Sequence, residues 1–302
     1  MRRIIVTGAT GFIGRHTLHP LLERGFDIHV CSRSRPRGEI GAQVSWHGVD
    51  LLDPVATDET IKTIGATHLL HLAWYAEHGK FWDGRENLDW VSATQALLES
   101  FHAAGGTRAV FAGTCAEYDW TTDCCNDQTA VAPATLYGAS KNAAHQSVDA
   151  YAAATDMSIA WGRVFFTYGP GEHPTRVVAS VAQALVAGTS IPCSEGTQVR
   201  DFLYVEDIGS AFAALADSRV DGALDIGSGR PLALRDLLLR LELLAGREGL
   251  VRLGAAPPRD EAPRIVADTR RLRTEVDWRP SHTLEEGLER TLSWWREGGD
   301  QP

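Results

Sequence analysis

The chain has 302 residues, 44% of them hydrophobic and 23% charged, and carries a net charge of −10. That length permits one large or two modest domains. The acidic balance argues against a broad nucleic-acid surface, and no uncharged apolar run approaches the roughly 20 residues of a membrane span. Five cysteines without a CxxC pair, and a start unlike a signal peptide, predict reduced thiols, no metal site and a cytoplasmic location.

Ile4 to Val6 reads as a buried strand, because Gly8, Gly11 and Gly14 follow it directly. Glycines there permit a tight turn into a helix opening near Phe12, and a helix N-terminus favours an anion such as a pyrophosphate. The spacing is G-x-x-G-x-x-G, so the generic dinucleotide fingerprint fits only loosely. Thr7, Gly8, Gly11, Phe12, Ile13 and Gly14 are the first candidate cofactor residues. Arg15 to Arg24 carries Leu18, Leu21 and Leu22 on one helical face, and Asp27 to Cys31 is a second strand. At this strand end an acidic residue usually holds a free ribose 2′-hydroxyl. Here the chain reads Cys31-Ser32-Arg33-Ser34-Arg35-Pro36-Arg37, with no carboxylate and three arginines, whose forked donors suit a 2′-phosphate. The pattern favours NADP over NAD, with Ser32 and Arg33 as contacts. A solvated basic loop is the alternative.

Val44 to His47 reads as a third strand, followed by Asp50 and Leu51, and Thr67 to Ala73 as an apolar, central fourth. The segment from Trp74 to Trp90 is too polar for core and follows a strand end, where ligands sit in open parallel sheets. Val91 to Ala103 has helical spacing, and Arg108 to Gly113 is a fifth strand ending at Thr114. Tyr137 and Lys141 share one face of a helix running to about Ala154. An ammonium near a phenol lowers the tyrosine pKa, which makes Tyr137 a usable proton donor or acceptor. Further on, Val177 to Ala187, Glu206 to Ala216, Ala233 to Leu244 and Leu284 to Trp295 read as helices. Ile191 to Cys193, Val199 to Val205 and Gly222 to Ile226 read as strands. The class is α/β, with two lobes sharing a cleft.

The combination TGATGFIG, Thr114 before Cys115-Ala116-Glu117-Tyr118, and YGASK resembles the extended short-chain dehydrogenase/reductases: nucleotide-sugar epimerases, dehydratases and ketoreductases. Asp50-Leu51 resembles the pair that holds the adenine, and His71-Leu72-Ala73-Trp74 the strand end under the cofactor. Arg163 to Pro170 resembles the family's R-x-F-N-x-Y-G-P, Arg200 to Asp207 its R-D-F-x-x-V-x-D, and Trp278-Arg279-Pro280 its late G-W-x-P. The resemblance runs nearly the whole length. It implies a Rossmann-like doubly wound parallel sheet over 1–165, with contributions from later segments, and a smaller C-terminal α/β lobe over 166–302 for a nucleoside-diphosphate sugar. Tyr137 would be the general acid/base, Lys141 would hold the nicotinamide ribose, and Thr114 would orient the substrate oxygen. Arg200 and Arg259 would meet the substrate diphosphate. Helices at 90–103 and 141–154 would pair two subunits in a homodimer.

The chain also departs from the family. Phe166 replaces the asparagine of N-x-Y-G-P, and Trp90 stands where an asparagine opens the next helix, with Asn87 as a substitute. Glu117, Tyr118, Asp119 and Trp120, with Trp74, Trp82 and Phe166, would rim a sugar pocket. The expected activity is NADPH-dependent reduction of a 4-keto nucleoside-diphosphate sugar. An NAD-dependent 4-epimerase and a non-catalytic dinucleotide sensor are the alternatives; a dehydratase ranks last, since Glu117 is out of register with the usual Thr-Asp-Glu. No nucleic-acid or membrane partner is expected.

Overall fold

The structure is a computed structural model that describes residues 2–36, 38–121, 125, 128–258 and 261–299. Arg259, assigned above to the substrate diphosphate, lies outside the described residues, as do Arg37 and Cys124. The first half alternates strands and helices: β1 (Arg2–Thr7), α1 (Leu18–Glu23), β2 (Phe26–Ser32), β3 (Ser45–Gly48), α2 (Pro54–Ile64), β4 (His68–His71), α3 (Glu86–Ala103), β5 (Arg108–Thr114), α4 (Leu136–Ala154) and β6 (Ser158–Val164). Then follow β7 (Phe166–Tyr168), α5 (Val177–Ala187), β8 (Ile191–Pro192), β9 (Val199–Tyr204), α6 (Val205–Asp217) and β10 (Gly222–Ile226). The chain closes with β11 (Pro231–Ala233), α7 (Leu234–Ala245), β12 (Val251–Arg252), β13 (Arg264–Ile265), α8 (Arg270–Thr274) and α9 (Leu284–Arg296).

Among the described residues, seven strands form one parallel sheet in the order β10-β6-β5-β4-β1-β2-β3. Strand side chains alternate between two cores. Ile4 and Val6 pack on the α1 and α6 face, whereas Ile5 packs on the α2, α3 and α4 face. The order reverses between β1 and β4, so a crevice opens beyond their C-terminal ends. The lobes interlock: α6 and β10 return from the second half, with Phe212, Leu215 and Leu224 joining the first core. Gly209 makes this possible, since a Cβ there would fall 2.3 Å from the His16 carbonyl oxygen. The smaller lobe gathers β9 with β7, β11 and β13 against α5, α7 and α9, around Leu185, Leu237, Leu241 and Leu288.

Several boundaries differ from the sequence reading. The helix expected from near Phe12 to Arg24 is one 3-10 turn, Gly14–His16, then the short α1. A continuous helix would need a Pro20 N–H for the His16 carbonyl, and proline has none. The fourth strand stops at His71 because Leu72 and Ala73 turn their N–H groups onto the Thr7 hydroxyl, at 3.2 and 3.3 Å. Helix α2 is an addition to that reading, although Asp53 caps Val55 and Ala56, Pro54 opens the helix and Gly65 ends it with φ +57°. No helix among the described residues is long and apolar enough to cross a membrane.

Arg108, buried at the start of β5, ties the lobes together. Its Nη2 donates to the carbonyls of Leu215 and Val220, both at 2.8 Å, and Nη1 reaches Ser158 and Asp221. Arg108→Met leaves those two carbonyls without a donor and is expected to lower unfolding free energy by about 2–4 kcal/mol. Urea denaturation followed by circular dichroism checks this; an unchanged midpoint contradicts it.

Candidate active site

A cleft of about 1270 Å³ runs from the C-terminal ends of the parallel strands into the smaller lobe. Its floor is the glycine turn. Gly8 has φ +70°, and a Cβ there would sit 2.6 Å from the Ala73 nitrogen; one on Gly14 would sit 2.0 Å from the Gly8 oxygen. Only bare backbone passes, so Gly8, Gly11, Phe12, Ile13 and Gly14 line the cleft as a shallow cradle. Ser32 and Arg33 from the end of β2, Asp50 and Leu51 beyond β3, and Leu72, Ala73 and Trp74 beyond β4 complete this arm. The backbone cradle suits a dinucleotide pyrophosphate, and these residues would hold that cofactor.

Thr7 needs correction as a cofactor contact. It is fully buried, and besides holding Leu72 and Ala73 its hydroxyl lies 2.8 Å from His71 Nδ1. His71 Nε2 lies 3.1 Å from the Thr94 hydroxyl, and burial pushes its pKa down to about 3, so the ring is neutral. Thr7 therefore shapes the cleft wall from beneath.

Thr114 and Tyr137 meet deeper in. Thr114 is the last residue of β5, in extended conformation, and lies near enough to Tyr137 for its hydroxyl to favour the phenolate. Tyr137 sits in the first turn of α4, capped by Thr135, whose hydroxyl accepts from Gly138 N at 3.1 Å. Phe81 and Trp82 meet its ring edge-on, with centroids 5.0 and 5.7 Å away. Lys141, one turn on, is 4% exposed; its Nζ donates to the Ala112 carbonyl at 2.8 Å and lies 3.8 Å from the Trp74 ring centroid. Burial pushes the Tyr137 pKa up to about 12, only partly offset by the Thr114 hydroxyl, and burial brings Lys141 down to about 7. The expected lowering of Tyr137 by the lysine is thus not present here: desolvation dominates both shifts, and neither group is among the causes that move the other.

Glu117 and Tyr118 are the second correction. Neither lines the cleft; both are buried beneath it. Glu117 Oε1 accepts from Thr114 N at 2.8 Å and from Trp161 Nε1 at 3.0 Å, and Oε2 accepts from Arg163 Nε at 2.9 Å. Tyr118 takes Arg163 Nη1 at 3.1 Å and donates to Asp225 at 2.8 Å. Glu117 therefore orients Thr114 from behind. Asn87 is likewise committed: it donates to the carbonyls of Phe81 and Gly84 and accepts from Trp74 Nε1 at 2.8 Å, pinning the loop that carries the rim.

Trp74, Trp82, Trp120 and Phe166 do line the cleft, Asp119 does not, and Phe81 and Trp90, absent from the sequence-based pocket, join them. Arg200 lines it too, but is 4% exposed and held by Glu261 at 3.0 Å. Glu172 and Arg176 are further additions. They form an ion pair of 3.1 Å four residues apart on the cleft wall, a spacing visible in the sequence after Tyr168-Gly169-Pro170. His78 and His173 stack across the two lobes with centroids 4.5 Å apart. No group of three or more His, Cys, Asp or Glu side chains among the described residues could hold a metal.

Comparison with known proteins bears on the family and the fold. The model of the NAD dependent epimerase/dehydratase family matches residues 4–227. CDP-abequose synthase of Salmonella typhimurium is 25% identical, over 96% of this chain and 97% of its own length. UDP-glucose 4-epimerase of Rhizobium meliloti is 28% identical, over 96% of each chain. Among solved structures, UDP-glucose 4-epimerase of Thermus thermophilus in complex with NAD superimposes with a TM-score of 0.84 at 25% identity, over 97% of this chain and 99% of that one.

Gly138 sets the approach of α4 to the Thr114 turn, since a Cβ there would fall 2.3 Å from the Ala116 carbonyl oxygen. Gly138→Ala is expected to lower kcat on the order of 10²-fold by parting Tyr137 from Thr114, with cofactor affinity unchanged. Steady-state kinetics beside a cofactor titration read both; an unchanged kcat contradicts the proximity argument.

Proposed function

The chain belongs to the NAD-dependent epimerase/dehydratase family, and on that premise we propose that it reduces a 4-keto nucleoside-diphosphate sugar to the 4-hydroxy sugar with NADPH. The observation that carries the choice of cofactor is the end of β2: Ser32, Arg33 and Ser34 line the cleft, and no carboxylate stands there to accept from a ribose 2′-hydroxyl. Arg33 offers a forked donor to a 2′-phosphate instead.

A bound reduced nicotinamide supplies hydride to a carbonyl carbon. The chain handles the proton and the oxygen. Tyr137, held protonated at neutral pH by its burial, gives its hydroxyl proton to the substrate oxygen as negative charge builds there. Thr114 donates to the same oxygen and fixes its position, with its own backbone N–H held by Glu117. Lys141 would take the ribose hydroxyls, and its positive charge, when protonated, steadies the phenolate that remains. The Trp82 and Phe81 rings pack edge-on against the Tyr137 ring in this corner.

A 4-epimerase using NAD is the second reading. It is supported by the UDP-glucose 4-epimerases among the relatives, one of which is solved with NAD. The nucleotide retained by the purified protein separates the two. Empty protein that takes up NADPH in preference to NADH fits the reductase, whereas tightly held NAD overturns it in favour of the epimerase.

Arg33→Ala is expected to weaken NADPH binding on the order of tenfold and leave NADH nearly unchanged, read by nicotinamide fluorescence. Tyr137→Phe is expected to cut turnover about 10²–10⁴-fold while cofactor affinity stays near that of the wild type. Full turnover in that variant overturns the mechanism.

A further inference from the structure

Among the described residues, four cationic side chains line the cleft: Arg33, Lys141, Arg176 and Arg200. Arg33 stands at the end of β2, in the cofactor arm. Lys141 is enclosed between the Ala112 carbonyl and the Trp74 ring. Arg200 has spent most of its donors: Nη1 bonds the carbonyls of Val199 and Ala262 at 2.9 and 2.8 Å, and Nη2 bonds the Glu261 carboxylate at 3.0 Å. Its charge is therefore largely answered before any ligand arrives.

Arg176 is different. Its Nε meets Glu172 Oε1 at 3.1 Å, while no hydrogen bond among the described residues uses its two terminal nitrogens. Glu172 is 3% exposed and anchored in the wall, so the guanidinium is held from one side and presents its fork on the other. Arg176 is half-buried and immediately precedes the 11-residue helix α5, whose first-turn residues Val177 and Val178 also line the cleft. The helix dipole there adds to the positive potential. Arg176 also lies close enough to Tyr137 for its charge to favour the phenolate.

We propose that Arg176 holds the sugar-side phosphate of the nucleotide-sugar diphosphate, part of the role expected above of Arg200 and Arg259. The inference rests on the reading that a nucleoside-diphosphate sugar occupies this cleft. A pyranose carries its C1 phosphate across the ring from C4. A cation near Tyr137, but not on it, is therefore where that phosphate falls when C4 meets the tyrosine. The forked terminal nitrogens match two phosphate oxygens, and Glu172 keeps the side chain from folding away.

The test uses the full chain saturated with NADPH, so that the glycine cradle is filled. Titration calorimetry compares UDP, CDP and dTDP with the corresponding monophosphates. For the wild type, at least one diphosphate is expected to bind tenfold or more tightly than its monophosphate, on the order of one charge-assisted contact. Arg176→Gln is expected to bring that ratio close to unity without changing monophosphate or NADPH affinity, and Arg176→Lys to restore part of it. A ratio that survives in Arg176→Gln overturns the assignment of Arg176 alone. Equal losses for mono- and diphosphate overturn it too, because the arginine then acts elsewhere on the ligand. A wild type that binds none of the six nucleotides overturns the nucleotide-sugar reading together with this one.

Discussion

A buried carboxylate holds the candidate site in register. Glu117 has no exposed surface, yet it accepts from the Thr114 backbone, the Trp161 indole and the Arg163 guanidinium. An ionised group there is tolerable only because its oxygens have donors and a full positive charge lies against it. Those donors come from β5 and β6, and Arg163 reaches through Tyr118 to Asp225 on β10. His145 of α4 stacks on Trp161 from the other side. Two neighbouring strands and α4 thus share one polar knot, and Thr114 sits on top of it. Gly113 is part of the same constraint: a Cβ there would fall 2.0 Å from Trp161 Nε1 and 2.7 Å from Glu117 Oε1.

Close approach of backbone plays the matching role at the cofactor end. Gly8 and Gly14 let the β1 turn lie against Leu72 and Ala73, and Thr7 bonds that same pair from below. The two constraints are alike in kind: at Gly8 and Gly14, as at Gly113 and Gly138, the missing Cβ brings protein onto protein. The parallel sheet joins them, because β1, β4 and β5 are neighbours and their ends open into one cleft.

Much of this is legible in the chain. Alternating strands and helices, the glycine turn, and Tyr137 four residues before Lys141 report themselves through period and spacing, which local sequence carries well. The short β7, β11, β12 and β13 do not, because two- or three-residue strands are defined by their partners. Glu117 and Tyr118 read as pocket residues in sequence because they follow Thr114. What decides otherwise is the 3-10 turn Cys115–Glu117, which points Glu117 back onto the Thr114 N–H through a capping box. The Tyr137 pKa departs from expectation for a related reason: spacing gives proximity to a lysine but not the desolvation of both groups.

The same distinction explains the second lobe. Arg200 sits in a motif whose pattern is easy to recognise, but what an arginine can bind depends on which donors remain. Two backbone carbonyls and Glu261 already engage both of its terminal nitrogens. Phe166, in place of an asparagine, removes a polar contact beside it and puts a ring under the guanidinium, 5.3 Å from its carbon. On this side the arginine's terminal donors are spent, whereas on the α5 side Arg176, although paired through Nε with Glu172, keeps its fork. An anion entering the cleft would meet the donors that internal pairing leaves over. Residue identity at a motif position therefore fixes the kind of contact available. The partners supplied by the rest of the fold decide whether that contact remains to be made.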